Sequence, residues 1–167
     1  KKYPSRTISS VYFDNENLDM HYDGEDGIVP RKKIRIRNYN NEKNYFLEKK
    51  ISSSEGRFKT SAKIKDPLRF FKRGIFDKDY GFCKPRIKVE YYRSYIELFG
   101  FNITIDKNIN YSKYSQKHKS YSKKKDIDII VEIKSNKLLN QRDLDELFPF
   151  QTIRFSKYSK GISYIFN

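Results

Sequence analysis

The segment RKKIRIRNY, residues 31–39, constrains the fold of this chain more than any other stretch. Its two isoleucines, Ile34 and Ile36, alternate with charged residues, a period of two that is typical of a half-buried β-strand. Alternation then places four cations on the opposite face, namely Arg31, Lys33, Arg35 and Arg37. Like charges in a row repel each other, so this face needs either bulk water or a bound anion against it.

The length and the net charge of the chain limit its domain number and its classes of binding partner. The chain has 167 residues, the size of one domain, and we expect residues 1–167 to form a single domain with one core. It carries 36 Lys and Arg against 21 Asp and Glu, a formal net charge of +15. A field of that sign concentrates polyanions, so nucleic acid, polyphosphate, nucleotides and anionic lipid heads are the partner classes to consider.

Cysteine and histidine usage excludes several kinds of site. Cys83 is the single cysteine, so an internal disulfide and a multi-cysteine zinc site are both excluded, and only His21 and His118 offer imidazole. No apolar run approaches the ~18 residues that span a bilayer, and no signal-peptide pattern opens the chain. We therefore expect a cytoplasmic location, at the cytoplasmic face of a membrane if a segment outside this chain anchors it.

Short β-like runs bounded by turn residues dominate the chain. Eight are rich in Ile, Val, Tyr, Phe and Thr, at 7–15, 31–39, 43–51, 58–64, 84–98, 101–106, 126–134 and 161–166. Two segments carry helix signals: DPLRFFKRG, with Asp66 as N-cap and Gly74 after the end, and NQRDLDELF from Asn140. The polar, Lys- and Ser-rich residues 107–126 predict a long mobile loop.

Charged faces recur from strand to strand. Glu48 and Lys50 oppose Leu47 and Ile51 in FLEKKI, and Glu132 and Lys134 likewise oppose apolar neighbours in IIVEIK. One interpretation is an antiparallel sheet with one face on a core and the other in water. The alternative closes the sheet into a barrel whose interior is the charged face, with helices on the outside; about eight strands leave room for one elongated ligand.

Seven ordered blocks carry a family resemblance: SRTISSVYFDN, RKKIRIRNY, FLEKKI, VEYYRSYIEL, ITIDKNI, VEIK and RFSKYSKG. In this order the chain resembles the VTC (vacuolar transporter chaperone) domain, a branch of the triphosphate tunnel metalloenzymes. The resemblance implies a mainly β (α+β) fold, a closed antiparallel tunnel of about eight strands with a few short covering helices. It also implies a phosphotransferase that binds ATP, triphosphate or polyphosphate with Mn²⁺ or Mg²⁺ and passes the γ-phosphate to a polyphosphate chain.

The same resemblance assigns residues to the site. The implied catalytic set, which also binds phosphate, is Arg35, Arg37, Lys50, Arg93 and Lys157. Further implied phosphate-binding residues are Lys59, Lys134, Ser156 and Lys160, and the implied metal ligand is Glu132. These residue types suit the chemistry, because guanidinium groups bind phosphate oxygens bidentately and a carboxylate holds a hard divalent ion.

Two departures from the family pattern stand out. Asn102 occupies a position where the family has arginine, which removes one expected tunnel cation. The chain also lacks the acidic strand that precedes YFDN in tunnel proteins, so we expect that strand to lie outside this chain or the tunnel to be incomplete. An unpaired barrel edge is unfavourable, which favours the first option and a longer protein.

Other functions remain open on the sequence. The site could be a triphosphatase, with water as acceptor, or a non-catalytic module that binds polyphosphate or inositol phosphate. The charge together with 14 Tyr and 13 Phe also allows a single-stranded nucleic-acid binder, although we expect no specific nucleic acid. Asp106 followed by VEIK resembles half of a metal-dependent nuclease core, but that fold needs a helix-flanked mixed sheet.

Overall fold

The computed structural model describes residues 3–98, 100–115, 123–135 and 141–166. Nine strands are described: β1 (Arg6–Asp14), β2 (Arg31–Tyr39), β3 (Tyr45–Ser53), β4 (Gly56–Ile64), β5 (Ile75–Asp77), β6 (Gly81–Leu98), β7 (Phe101–Lys113), β8 (Lys123–Lys125) and β9 (Ile130–Lys134). Four helices accompany them: α1 (Asp19–Asp26), α2 (Pro67–Arg73), α3 (Gln141–Leu147) and α4 (Lys157–Phe166). The predicted mainly β class is confirmed.

The strands form one antiparallel sheet with the order β4-β3-β2-β1-β6-β7-β8, in which β9 pairs with the other half of β7 and β5 pairs with β6. Among the described residues no ladder joins β4 to β9, so hydrogen bonds do not close the sheet. The predicted closed barrel of about eight strands is therefore not confirmed. Side chains of β4 and β9 nevertheless line one common cavity, which shows that the sheet is curled.

The two faces of β2 divide as the alternation predicts. Ile34 and Ile36 are buried in the core, whereas Lys33, Arg35 and Arg37 line the cavity on the inner face. Arg31 departs from this row, since its guanidinium donates to the carbonyls of residues 27 and 28 instead.

Apolar side chains pack on both faces of the sheet. On the outer face Phe13 of β1 stacks on Phe71 of α2. On the inner face α4 lies against β6 and β7, and Tyr158 stacks on Tyr12 with ring centroids 5.2 Å apart. A Cβ on Gly161 would meet Ile87 Cδ1 at 2.5 Å, so the absence of a side chain there lets the helix approach the sheet closely. Helix α4 thus covers part of the inner face.

The C-terminal prediction was wrong. GISYIF, residues 161–166, has the composition of a strand but forms the second half of α4. Tyr158, Ile162 and Ile165 recur at helical spacing and contact the core, and this periodicity outweighs the β-rich composition.

The predicted loop at 107–126 was also wrong in part. Residues 107–113 continue β7, and Lys123–Lys125 form β8; residues 116–122 lie outside the described part. Tyr111 and Ile109 are fully buried, so alternating core positions hold this lysine-rich stretch in the sheet. The predicted strand at 126–134 shortens to β9, and α1 and β5 were not predicted.

Both predicted helices are confirmed. Helix α2 begins after Asp66, whose carboxylate accepts a hydrogen bond from the Arg69 amide, and ends before Gly74 at a φ of 82°. Helix α3 spans Gln141–Leu147, with the predicted start at Asn140 outside the described residues. None of the helices in the described ranges has the length and apolar character needed to cross a membrane.

Candidate anion-binding cavity

The inner face of the curled sheet encloses a cavity of about 640 Å³, which we call the basic cavity. Eleven cationic side chains line it: Arg6, Lys33, Arg35, Arg37, Lys50, Arg57, Lys59, Arg93, Lys134, Arg154 and Lys157. Glu132 is the one carboxylate among the described lining residues. Two more carboxylates, Glu48 and Asp106, contact the lining cations from behind. The cavity is therefore strongly electropositive.

Glu48 organises the wall formed by β2, β3 and β4. Its carboxylate accepts from Arg35 Nε at 2.7 Å, and Lys59 Nζ lies 2.6 Å away on the neighbouring strand. Arg37 Nη1 is 3.8 Å from the same carboxylate. Burial alone would raise the pKa of Glu48, but the two guanidinium charges and the bond from Lys59 lower that pKa to about 2. Glu48 is thus ionised and holds its cations in place.

Hydrogen bonds to neutral groups fix the two guanidinium groups further. Arg35 Nη1 donates to the Tyr12 hydroxyl at 3.1 Å. Arg37 donates through Nε to Ser10 Oγ at 2.9 Å and through Nη2 to the Tyr91 hydroxyl at 3.1 Å. Because a guanidinium carries five N–H bonds, each arginine keeps donors for a ligand after these contacts. The orientation of both groups is set before any anion binds.

Asp106 plays the equivalent part on the wall formed by β6 and β7. It is 1 % exposed and accepts a bidentate pair from Arg93, with Nε at 2.5 Å and Nη2 at 2.7 Å. Lys157 Nζ, from the first turn of α4, lies 2.6 Å from Asp106 Oδ2, the oxygen that also accepts from Arg93 Nη2. Burial would raise the pKa of Asp106, but the bonds from Arg93 and the charge of Lys157 lower it.

Two lysines face the cavity without a carboxylate partner in the part of the chain that the structure describes. Lys33 Nζ contacts the Ser156 hydroxyl at 2.7 Å, and no hydrogen bond or ion pair from another described residue anchors the ammonium group of Lys50. Partial burial and the nearby charge of Arg35 lower the pKa of Lys50 to about 8. Burial likewise lowers the pKa of Lys33. Both ammonium groups would be stabilised by a bound anion.

Tyr12 lines the basic cavity and is 4 % exposed. Burial raises the pKa of its phenol, but the charges of Arg35, Arg37 and Lys157 outweigh burial and bring that pKa to about 8. The phenol is a further group through which the cavity responds to pH.

The structure brings most of the predicted site residues together. Nine of the ten line the basic cavity: Arg35, Arg37, Lys50, Lys59, Arg93, Glu132, Lys134, Ser156 and Lys157. Lys160 does not, since its ammonium group pairs with Asp126 at 2.9 Å and Asp128 at 2.6 Å. Asn102 is absent from the lining, and Glu90 faces outward and pairs with Lys88.

Sequence reasoning did not assign Arg6, Arg57 or Arg154 to the site. Alternation from Lys59 could have found Arg57, which shares its face of β4. Arg154 lies on the segment before α4, where no strand period fixes direction, and its guanidinium donates to the Gly24 carbonyl. Only the tertiary structure places it in the cavity.

The carboxylates in and behind the cavity offer few ligands to a metal ion. Glu48 and Asp106 are engaged by cations, and the described residues contain no cluster of three or more His, Cys, Asp or Glu side chains that could hold an ion. Glu132 is more accessible, with its carboxylate 3.4 Å from Lys134 and 3.9 Å from Arg93. These residues fit a divalent ion only when phosphate oxygens supply most of its ligands, since Mg²⁺ takes one or two protein carboxylates at such sites.

A sequence model of the VTC domain matches residues 1–80 and confirms the resemblance there. The blocks from VEYYRSYIEL onward lie outside the matched residues. No curated protein matches the chain at a significant level. The crystal structure of a proposed adenylate cyclase from Bacillus halodurans is similar, with 12 % identity, a TM-score of 0.64, and coverage of 93 % of this chain and 82 % of that one. This likeness shows a shared fold.

The PH1819 protein from Pyrococcus horikoshii OT3 is also similar. Its identity is 17 %, and the alignment covers 86 % of this chain and 69 % of that chain. The TM-score of 0.45 is too low to support a fold assignment by itself.

Proposed function

On the premise that residues 1–80 belong to the VTC-domain family, we propose that this chain binds a linear phosphate anion in the basic cavity and transfers its terminal phosphoryl group. The anion is ATP, triphosphate or polyphosphate. The observation that carries the proposal is the charge balance of the lining, eleven cations against one carboxylate.

The shape of the site favours a slender anion. The side chains of Arg35 and Arg37 are 12 % and 6 % exposed, so they can contact only a ligand that enters the cavity. Lys33, Arg35 and Arg37 follow one another on β2 at intervals of about 7 Å, which suits an anion whose charge repeats along its length. A nucleic-acid binder would instead present its cations on an open groove.

The residues supply charge and position rather than a nucleophile. In phosphoryl transfer the protein mainly aligns acceptor and donor and neutralises charge on the transferred group. Arg35, Arg37 and Arg93 are held by bonds to the protein and can stabilise the phosphoryl oxygens without reorganising. Lys33 and Lys50 add two further cations, and no carboxylate among the described residues pairs with either of them. ADP would leave as the terminal phosphate passes to the acceptor.

A divalent ion, Mn²⁺ or Mg²⁺, belongs to the proposal as a companion of the triphosphate. Glu132 would hold it, and the ion would neutralise charge on the phosphate oxygens. Glu132 and Lys50 both line the cavity, and the charge of Glu132 opposes the lowering of the Lys50 pKa.

A binding module without catalysis is the second candidate. It is favoured by Asn102, which stands where the family has an arginine, and by the small number of carboxylates among the described residues that line the cavity. Such a module would bind polyphosphate tightly and release no ADP. A triphosphatase would release free phosphate from the same site.

The deciding experiment incubates the complete protein with ATP and Mn²⁺ and resolves polyphosphate, free phosphate and ADP. The proposal predicts polyphosphate and ADP. Free phosphate with ADP would indicate a triphosphatase, and binding without turnover would indicate the module. No binding of triphosphate at all would refute the assignment of the cavity.

A cytoplasmic location remains part of the proposal. Cys83 is a free thiol that is fully buried, which is compatible with a reducing compartment, and ATP is available there. A helical or membrane-embedded partner segment outside this chain is proposed on the family resemblance alone.

A further inference from the structure

One end of the basic cavity differs in chemistry from the rest. Tyr12, Tyr91 and Tyr158 also line the cavity, but they are only 2–4 % exposed and offer a ligand little ring surface. Tyr39 and Tyr95 are half-buried and lie together at the Arg6 end. The accessible tyrosine surface of the cavity is therefore concentrated there.

Arg6 contacts both tyrosines at this end of the cavity. Its guanidinium carbon lies 4.1 Å from the Tyr39 ring centroid and 5.0 Å from that of Tyr95, and its Nε donates to the Tyr95 hydroxyl at 2.8 Å. Tyr3 packs edge-on against Tyr95 with centroids 5.6 Å apart. Within the described residues no carboxylate pairs with Arg6. The group thus combines two tyrosine rings with a cationic charge that no carboxylate among the described residues neutralises.

The position of this group relative to the cations is fixed by β2. Tyr39 is the next inward-facing side chain after Arg37, one step of about 7 Å along the strand. An anion whose phosphates lie on Arg35 and Arg37 therefore brings whatever is attached to its end within reach of Tyr39. An inorganic chain would place only oxygen there, which gains nothing from a ring face.

We infer that Arg6, Tyr39 and Tyr95 form a binding site for the base of a nucleoside triphosphate, so that this end of the cavity distinguishes a nucleotide from inorganic triphosphate. The inference rests on the proposed function of the cavity and adds its specificity-determining residues. A purine stacks on the tyrosine faces, and the Arg6 charge lies beside the adjoining phosphate.

Phe155 is the competing platform, since it is half-buried and also lines the cavity. Lysine ammonium groups lie over it, Lys157 at 5.3 Å and Lys160 at 5.6 Å. Both are already paired with aspartates, so the charge that lies over this ring is neutralised. The Arg6 end is therefore the better match for a ligand with both a base and a phosphate.

The test measures dissociation constants of ATP, ribose 5-triphosphate and tripolyphosphate in EDTA by calorimetry. Base stacking worth ~1–3 kcal/mol corresponds to a factor of about 5 to 150 in affinity. Tyr39→Leu should weaken ATP binding at least about fivefold and leave the other two ligands within about twofold. Tyr39→Phe, which keeps the ring, should bind all three like the parent.

Tyr92→Leu is the matched control, because Tyr92 is in the adjacent part of the sheet but does not line the cavity. Equal weakening of ATP and tripolyphosphate by Tyr39→Leu, or no change in either, would overturn the inference. So would selective loss of ATP binding in Phe155→Leu but not in Tyr39→Leu.

Binding by the parent protein distinguishes a failure of the base site from a failure of the phosphate site. If it binds ATP but not tripolyphosphate, and Tyr39→Leu abolishes ATP binding, the base site stands and the phosphate site fails. If it binds neither, both fail. Unchanged tripolyphosphate binding in Tyr39→Leu also shows that the variant is folded.

Discussion

Raising the pH should weaken phosphate binding in the basic cavity, because two groups there titrate near pH 8. The pKa of Lys50 is lowered to about 8 by partial burial and by Arg35. Below that pH the ammonium group is charged and attracts phosphate, and above it the amine is neutral. A bound triphosphate stabilises the charged form, so the pKa of Lys50 rises in the complex and binding takes up a proton.

The magnitude follows from the two protonation states. If the complex keeps Lys50 charged, the dissociation constant of tripolyphosphate rises by a factor of about 2 at pH 8 and about 10 at pH 9, relative to pH 6.5. Loss of the Tyr12 proton, with a pKa of about 8, adds a negative charge to the cavity and acts in the same direction. The two groups attract each other when both are charged, so their titrations are coupled.

The assay is calorimetry of tripolyphosphate from pH 6.5 to 9.5 in EDTA, in buffers with different ionisation enthalpies. Each variant is expressed relative to the parent at the same pH, which cancels the ionisation of the ligand. Lys50→Arg stays charged and should flatten the profile, leaving the Tyr12 contribution. Tyr12→Phe should leave the Lys50 contribution, and the double variant should show no pH dependence from either group.

The reasoning fails if Lys50→Arg has the same pH profile as the parent and the same proton uptake. The lowered pKa of Lys50 also makes the stability of the free protein depend on pH. Because folding lowers this pKa, protonation of Lys50 disfavours the folded state. That penalty is absent well above the unfolded value of 10.5, grows as the pH falls to about 8, and is constant below.

Four further predictions concern single side chains. Arg35→Ala should weaken tripolyphosphate binding by about 1.5–3 kcal/mol in calorimetry and, because Glu48 loses a partner, should also lower the melting temperature; Glu48→Gln added to it should restore stability but not affinity. Gly161→Ala should destabilise the protein by about 1–3 kcal/mol in urea unfolding, since its Cβ would lie 2.5 Å from a core side chain. Asn102→Arg should tighten tripolyphosphate binding if its side chain reaches the cavity, and weaker binding would contradict this. Glu132→Gln should bind polyphosphate in EDTA at least as well as the parent and lose Mn²⁺-dependent ADP release; turnover with an unchanged metal requirement would exclude Glu132 as the ligand.

The sequence predicted the inner face of the sheet well because strand alternation is a local property. The parity of β2 and β3 placed Arg35, Arg37 and Lys50 on one side, and the structure lines the cavity with them. The Asp66 cap and Gly74 likewise marked the ends of α2, since capping depends on a few neighbouring residues. Local rules were sufficient for these features.

Features that depend on distant contacts were not predictable. The sequence suggested a row of mutually repelling cations on β2, but Glu48 on β3 neutralises part of that row through Arg35 and Arg37. Arg35→Ala therefore leaves the buried Glu48 carboxylate with fewer partners, rather than simply relieving repulsion between cations. Helix α4 was missed because the strand-like composition of GISYIF hid the helical spacing of its apolar residues, and the close approach allowed by Gly161 depends on the sheet beneath it. The lack of a ladder between β4 and β9 is equally a tertiary property.

The central claim is that the basic cavity, rather than overall positive charge, binds linear phosphate. Calorimetric titration of the complete protein with phosphate, pyrophosphate and tripolyphosphate tests it most directly when Lys157→Met is compared with Lys72→Met. Both variants lose one charge, but Lys157 lies in the cavity and Lys72 is exposed on α2. The account predicts one site per chain, affinity that rises with phosphate number, and a loss of at least about tenfold in Lys157→Met alone. Equal losses in the two variants, or affinity independent of phosphate number, would contradict it.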